Sequence, residues 1–291
     1  MGVARPDVSL RGGPPPFGPL PQPELRTEHL HKAFGAHVVL RDINLQINAG
    51  EIVAIVGTSG SGKTVMLDCL IGLMEPTSGR VLVADHNAPR APGQPVPLVD
   101  LATLTMDQLD RIRLHWAVVF QKNALFSGSV YDNIALWLRE HTSMSEAQIR
   151  KVAEESLRAV ALDVDDVMDK QREALSGGMA KRVAIARAIA VDPLVIFYDE
   201  PTTGLDPIVS GQIHELIWAT HHRPHSSGGP RTTVIVTHDK ELLRRLAPRV
   251  IMLDGGLVGF DGSYDQFAAS DSPTAQQYLQ AMPVLHARWE G

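Results

Sequence analysis

The sequence comprises 291 residues, 44% hydrophobic and 21% charged, with a formal net charge of −6. That size suits one or two domains with a substantial core, and the acidic balance argues against sequence-independent nucleic-acid binding, which draws on clustered Lys and Arg. One cysteine, Cys69, excludes an internal disulfide and suits a reducing compartment. No run approaches the roughly 18–20 apolar residues that cross a bilayer, and the start lacks a basic-then-apolar signal pattern, so a soluble chain is expected, with any membrane role left to a partner.

Residues 1–24 hold Pro14-Pro15-Pro16 and further Pro and Gly without apolar periodicity, which predicts a disordered leader or a docking peptide for a partner. Residues 26–34 and 43–47 alternate as antiparallel strands do. Residues 51–56 form a compact apolar strand that Gly57 ends. Residues 64–73 read as a helix with Pro76 and Gly79 beyond it, and Cys69 in it as a small buried apolar residue. A strand follows at 80–84, then a loop with four prolines at 87–98, a short polar helix at 107–113 and an apolar strand at 116–120. Residues 122–174 change character: 145–160 is amphipathic and no strand is evident, which predicts an inserted helical subdomain. Helices at 179–190, 208–221 and 240–246 alternate with strands at 194–198 and 233–237. Asp254-Gly255-Gly256 between two apolar runs marks a hairpin, and the tail from 263 to 291 carries one or two helices. Alternation of this kind implies an α/β fold: a largely parallel sheet covered on both faces, with a small antiparallel sheet beside it.

Gly57-Thr58-Ser59-Gly60-Ser61-Gly62-Lys63-Thr64 fits G-x-x-x-x-G-K-[ST] between an apolar strand and a helix. Glycines let backbone N–H groups close around phosphate oxygens, the helix start favours the same anion, Lys63 adds a cation and the Thr64 hydroxyl suits Mg²⁺. Strand 194–198 runs into Asp199 and Glu200 at the sheet edge where ligands bind. Asp199 suits Mg²⁺ and Glu200 suits a general base. Gln121, after strand 116–120, has a side-chain carbonyl suited to the metal or the attacking water, and His238, after strand 233–237, suits the γ phosphate. The run His221-His222-Arg223-Pro224-His225 lacks the acid or cysteine that would complete a metal site and reads as a solvated loop.

Leu175-Ser176-Gly177-Gly178-Met179 ahead of helix 180–190 resembles the LSGGQ signature of the ABC ATPases. Phe34 resembles that family's adenine-stacking aromatic, Gln121 its Q-loop, His238 its switch histidine and Thr203-Gly204-Leu205-Asp206 its D-loop. Residues 25–262 carry the match. The resemblance implies a P-loop NTPase of ABC type, with a RecA-like parallel core, an antiparallel β subdomain and an α-helical subdomain at about 122–174. It implies a homodimer in which Ser176, Gly177, Gly178 and Met179 act on the ATP-Mg²⁺ of the other copy and Asp206 contacts that copy. Met179 replaces the usual signature glutamine and Phe34 the commoner tyrosine.

Gly-Gly-Met-Ala-Lys-Arg, Leu138-Arg139-Glu140-His141-Thr142 and Gln276-Gln277-Tyr278-Leu279 further resemble the ATPases of phospholipid transporters that work with MCE-domain proteins. This implies an integral membrane permease, an MCE-domain protein and a small regulatory subunit as partners, a peripheral place on the cytoplasmic face of the inner membrane, and a tail that touches the neighbouring protomer or a regulator. A small-solute importer and a soluble non-transport ABC protein would show the same core motifs. Phe126, Val130 and Tyr131, in the segment 122–138, either offer an apolar groove to the permease or form the subdomain's own core.

Overall fold

The computed structural model describes residues 22–282 except 92 and 227, so the predicted leader, bar its last three residues, lies outside the described residues. Strands β1 (Pro23–Phe34) and β2 (His37–Asn48) form a hairpin whose turn uses Gly35 at φ 59°. Pro23 opens β1, where its missing N–H does least harm. Next come β3 (Ile52–Gly57), α1 (Lys63–Leu70), β4 (Ser78–Ala84), β5 (Leu98–Asp100) and α2 (Met106–Arg113). β2-β1-β4-β5 is the antiparallel sheet. Sequence alternation gives no sign of β5, a three-residue edge strand placed by pairing with β4 after the proline-rich loop. After β6 (Trp116–Val119), residues 120–128 form neither helix nor strand, so the predicted helical block begins at Val130 rather than 122. It comprises α3 (Val130–His141), α4 (Glu146–Ala159) and α5 (Val164–Val167). Ser129 with Asp132 and Ser145 with Gln148 form capping boxes that start α3 and α4.

The chain continues through α6 (Gly177–Ala190), β7 (Val195–Asp199), α7 (Pro207–His222), β8 (Thr232–Val236), α8 (Lys240–Leu246), β9 (Arg249–Asp254), β10 (Leu257–Ser263), α9 (Tyr264–Ala268) and α10 (Pro273–Ala281). The second sheet has the order β10-β9-β3-β8-β7-β6, parallel except for the β9–β10 hairpin. Every residue of β7 and β8 is buried, as strands covered on both faces must be. One face packs Val53, Ile55, Phe197 and Val234 with α1 and with Leu30, Leu40 and Ile43 of the antiparallel sheet, so α1 lies between the two sheets and Cys69 is buried as expected. The other packs Ile196, Tyr198 and Ile235 against α3, α4, α6, α7 and α8. Among the described residues, no helix is long and apolar enough to cross a membrane.

One expectation is corrected. The His221–His225 run is not wholly a solvated loop, because His221 and His222 close α7: His221 Nδ1 lies 3.0 Å from Thr233 Oγ1, and burial, helped by His222 and Arg231, lowers its pKa to about 4. No cluster of three or more metal-ligating side chains occurs among the described residues. The described tail packs on its own chain: Phe267, Ala275, Tyr278 and Leu279 join Ala54, Val56, Val250 and Met252 in a third apolar cluster. Residues 283–291 lie outside the described residues.

Phe267 has no exposed surface. Replacing it by Ala is expected to cost about 3–5 kcal/mol of unfolding free energy in a urea titration, the cost of a phenyl-sized void. An unchanged midpoint would remove α9 from the core.

Candidate nucleotide-binding site

β3 carries Gly57 to the carboxyl edge of the parallel sheet, between β8 and β9. A Cβ on Gly57 would stand 2.4 Å from the Leu253 carbonyl oxygen and 2.5 Å from Ser61 Oγ, so only glycine lets the loop close here. The Ser61 amide donates to the Thr58 carbonyl at 3.1 Å, which curls the loop, and Gly62 at φ 97° turns it into α1. No side chain caps α1 and no acid lies in its first turn, so its positive end is unopposed. Lys63 Nζ lies back across the loop and donates to the Gly57 and Thr58 carbonyls at 2.9 and 3.0 Å. Burial lowers the Lys63 pKa, with Glu200 and Asp199 opposing. Thr58, Ser59, Gly60 and Thr64 are exposed on the rim, whereas Ser61 Oγ is buried without a hydrogen-bond partner among the described residues.

β7 ends in Asp199, buried, with Oδ1 likewise unpartnered. Burial raises its pKa, Glu200 and Asp68 add to the rise, and Lys181 and Lys63 oppose it. Glu200 takes the left-handed conformation (φ 48°) that lets the chain turn off the strand, and its amide donates to the Val236 carbonyl at 2.9 Å. Its carboxylate meets His238 Nδ1 at 2.7 Å and accepts from Thr203 Oγ1 at 3.2 Å. The structure thus gathers the loop, Asp199, Glu200 and His238 at one edge. The orphaned oxygens of Ser61 and Asp199, the glycine-lined turn and the lysine fit a phosphate-bound Mg²⁺, an acceptor set suited to a hard cation.

The other predicted residues stand around this edge. Phe34, 49% exposed at the tip of the β1–β2 hairpin, has Lys32 Nζ 5.1 Å from its ring centroid. Gln121 is exposed, and its backbone carbonyl is held by Lys181. Ser176 caps α6 by accepting from the Met179 amide at 3.2 Å, and Gly178 lets α6 approach Val209 of α7. No hydrogen bond joins residues 176–179 to residues 57–64 among the described residues. Asp206 caps α7 through the Ile208 and Val209 amides, both at 3.0 Å. Val130 is fully buried and Phe126 is 56% exposed, so the suggested apolar groove and the subdomain core divide these residues between them.

The sequence reading assigned three supporting groups no place in this site. Lys181, 2% exposed, donates to the Phe120 and Gln121 carbonyls at 3.1 and 2.9 Å. Burial pulls its pKa down to about 8, with Asp199 and Glu200 opposing. Asp239, next to His238, accepts at 2.8 Å from both Thr202 Oγ1 and the fully buried His214 Nε2, and it caps α8. The only signal for it was a polar residue at 214 on the buried face of an apolar helix. Tyr278 of α10 sets a buried hydroxyl beside the Gly57 amide, and burial pushes its pKa up to about 12.

The profile of the family described as "ABC transporter" matches residues 40–203. The "probable ribonucleotide transport ATP-binding protein mkl" of Mycobacterium leprae is 34% identical over 261 residues, which are 89% of this chain and 70% of that protein. The "histidine transport ATP-binding protein HisP" of Pseudomonas aeruginosa is 35% identical over 257 residues, 88% of this chain and 97% of that one. Among solved structures, the dimeric ATP-binding cassette MJ0796 with bound ADP and Pi superposes with a TM-score of 0.69 at 31% identity, over 82% of this chain and 98% of that chain.

Asp239 yields a pH prediction. Burial would raise its pKa, but His214, Thr202 and the Leu242 amide outweigh burial and hold it at about 2. A carboxylate depressed in the folded state stabilises above its unfolded value near 4 and loses that contribution as pH falls toward 2. Calorimetry of wild type against Asp239→Asn should therefore show a gap of roughly 2 kcal/mol above pH 5 that shrinks below pH 4 and is lost as pH falls through about 2. A gap constant across that window would contradict the network.

Proposed function

The chain belongs to the ABC transporter family, as an ATP-binding subunit that hydrolyses ATP, and on that premise we propose how its own residues divide the work. Residues 57–64 wrap the β and γ phosphates with backbone amides. Lys63 Nζ exchanges the Gly57 and Thr58 carbonyls for phosphate oxygens, a short swing from where it rests. Phe34 stacks on adenine. Thr64, Asp199 and Gln121 hold Mg²⁺, which when bound supplies charge neutralisation at the phosphates.

Glu200 accepts the proton of the attacking water, and His238 contacts the γ phosphate. The 2.7 Å contact between the two side chains fixes each relative to the other. That contact, at the same sheet edge as the unpartnered Asp199 Oδ1, is the observation on which the reading chiefly rests. A second copy closes the site with Ser176, Gly177, Gly178 and Met179, whose helix start presents amides to the phosphates, and Asp206 lies at the junction of the copies. Met179 brings no amide side chain, so the grip falls to the serine and glycines.

The power stroke serves an integral membrane permease, with this chain peripheral on the cytoplasmic face. For cargo, the proposal is phospholipid moved with an MCE-domain protein, supported by the Gly-Gly-Met-Ala-Lys-Arg start of α6 and by Gln276-Gln277-Tyr278-Leu279 in α10. A second reading, an amino-acid importer, draws on the likeness to HisP over 97% of that protein. A pull-down from native membranes separates them: an MCE-domain protein and phospholipid are expected beside the permease, whereas a solute-binding protein without lipid would favour the importer.

Glu200→Gln is expected to bind ATP as wild type does and to slow hydrolysis about 10²–10⁴-fold, with an ATP-bound dimer accumulating in size-exclusion chromatography. Wild-type turnover would strip Glu200 of its role. Lys63→Ala is expected to weaken binding or hydrolysis, read by nucleotide titration and phosphate release, and a titration matching wild type would count against the cradle.

A further inference from the structure

Three close approaches meet at the nucleotide edge and close a ring of backbone. The first joins Gly57 to β9, where a Cβ would stand 2.4 Å from the Leu253 carbonyl oxygen. The second is at the other end of the phosphate loop. A Cβ on Gly62 would stand 2.9 Å from the Leu40 side chain and 3.0 Å from that of Val39, both in β2. The third returns from β2 to the turn after β9. A Cβ on the buried Gly256 would stand 2.6 Å from the Val39 carbonyl oxygen, and the Arg41 amide donates to the Gly256 carbonyl at 2.7 Å. The path thus runs from Gly57 along the loop to Gly62, across to Val39, on to Gly256, and back through Leu253 to Gly57. Deeper in the protein the two sheets meet through apolar side chains, which can repack. Between the turn and β2 the contact is backbone on backbone, with no side chain to take up a shift.

We propose that the turn at 254–257 is a gauge that sets the distance between Phe34 and the phosphate loop, with Gly256 as its positioning residue. Phe34 lies opposite His37 where β1 meets β2, and Val39 is two residues further along β2. Whatever seats Val39 against Gly62 and Gly256 therefore seats the tip that carries Phe34. This deepens the functional reading above and rests on it: a nucleotide spans both places, with adenine on Phe34 and phosphates in residues 57–64. Gly256 touches neither part of that ligand and acts through Val39. A ligand that is phosphate alone needs the loop but not the gauge.

The test compares Gly256→Ala with Gly255→Ala in the full chain. Both put a side chain on a left-handed residue, at φ 83° and 55°, but a Cβ at 255 meets nothing within 4 Å. Calorimetric titration with ATP and Mg²⁺ should show Gly256→Ala binding about tenfold more weakly than Gly255→Ala, the scale of one overpacked contact. Titration with tripolyphosphate and Mg²⁺ should show the two variants alike, a split that general loss of fold would not produce. Without ligand, the Arg41 amide should exchange with solvent deuterium about tenfold faster in Gly256→Ala. Equal ATP affinities overturn the gauge, and so does an equal loss for ATP and tripolyphosphate. Should Gly256→Ala fail to fold, Val39→Ala takes its place in both titrations, since it trims the side chain that stands over Gly62. Weakened ATP binding beside unchanged tripolyphosphate binding then supports the gauge, and any other pair of results overturns it. A wild-type chain that bound neither ligand would sink the functional reading. The amide exchange would then decide the contact between the turn and β2 by itself, with equal rates in the two glycine variants overturning it.

Discussion

The constraint behind this architecture is that β3, β7 and β8 are buried on both faces. Such strands leave most of their polar groups to their ends, so Gly57, Asp199 and the Thr237–Asp239 turn gather at one edge of the sheet. Parallel pairing makes these ends coincide: Val56 and Gly57 lie opposite Met252 and Leu253 of β9, and Asp199 lies opposite Val236 of β8. The chemistry at the edge follows from the topology, because an antiparallel neighbour would have sent the same residues to opposite ends of the sheet.

Holding charged groups at such an edge requires a second layer of polar residues behind it. Asp199 has a raised pKa from burial and from its neighbour Glu200, a carboxylate held at a cost that nearby Lys63 and Lys181 reduce. Asp239 shows the opposite balance: the same desolvation is outweighed because His214, Thr202 and two amides converge on it. That difference suits their places. Asp239 is a fixed strut between α7 and the turn that carries His238. Asp199 keeps an oxygen unpaired and faces the loop.

Much of this was legible in the sequence because the signals were local. The glycine–lysine turn, the apolar strand ending in Asp199 and Glu200, and the Ser-Gly-Gly helix start each fit within eight residues and need no distant partner to be recognised. The helical block was legible from the amphipathic period of α4 and the lack of strand signals, although its first eight residues proved irregular. What escaped depends on contacts across long stretches of chain. β5 exists through pairing with β4, 14 positions apart at its first residue pair, Ala84 and Leu98. Lys181 looks like one more charge on a helix until its partners 60 residues away are known. His214 has no assignable role until Asp239, 25 residues away, is placed beside it. The packing of the tail escaped as well: Phe267 and Leu279 join Ala54 and Val56 of β3, more than 200 residues away, and Val250 and Met252 of β9.

That last packing places three separately encoded parts on one strand. β3 has the antiparallel sheet and α1 on one face and the tail helices on the other, and it ends in the phosphate turn. Tyr278 brings the tail to the Gly57 amide, and Lys240, two residues past His238, donates to the Leu279 carbonyl at 3.2 Å. The tail therefore touches both the turn that opens the nucleotide site and the turn that carries its histidine.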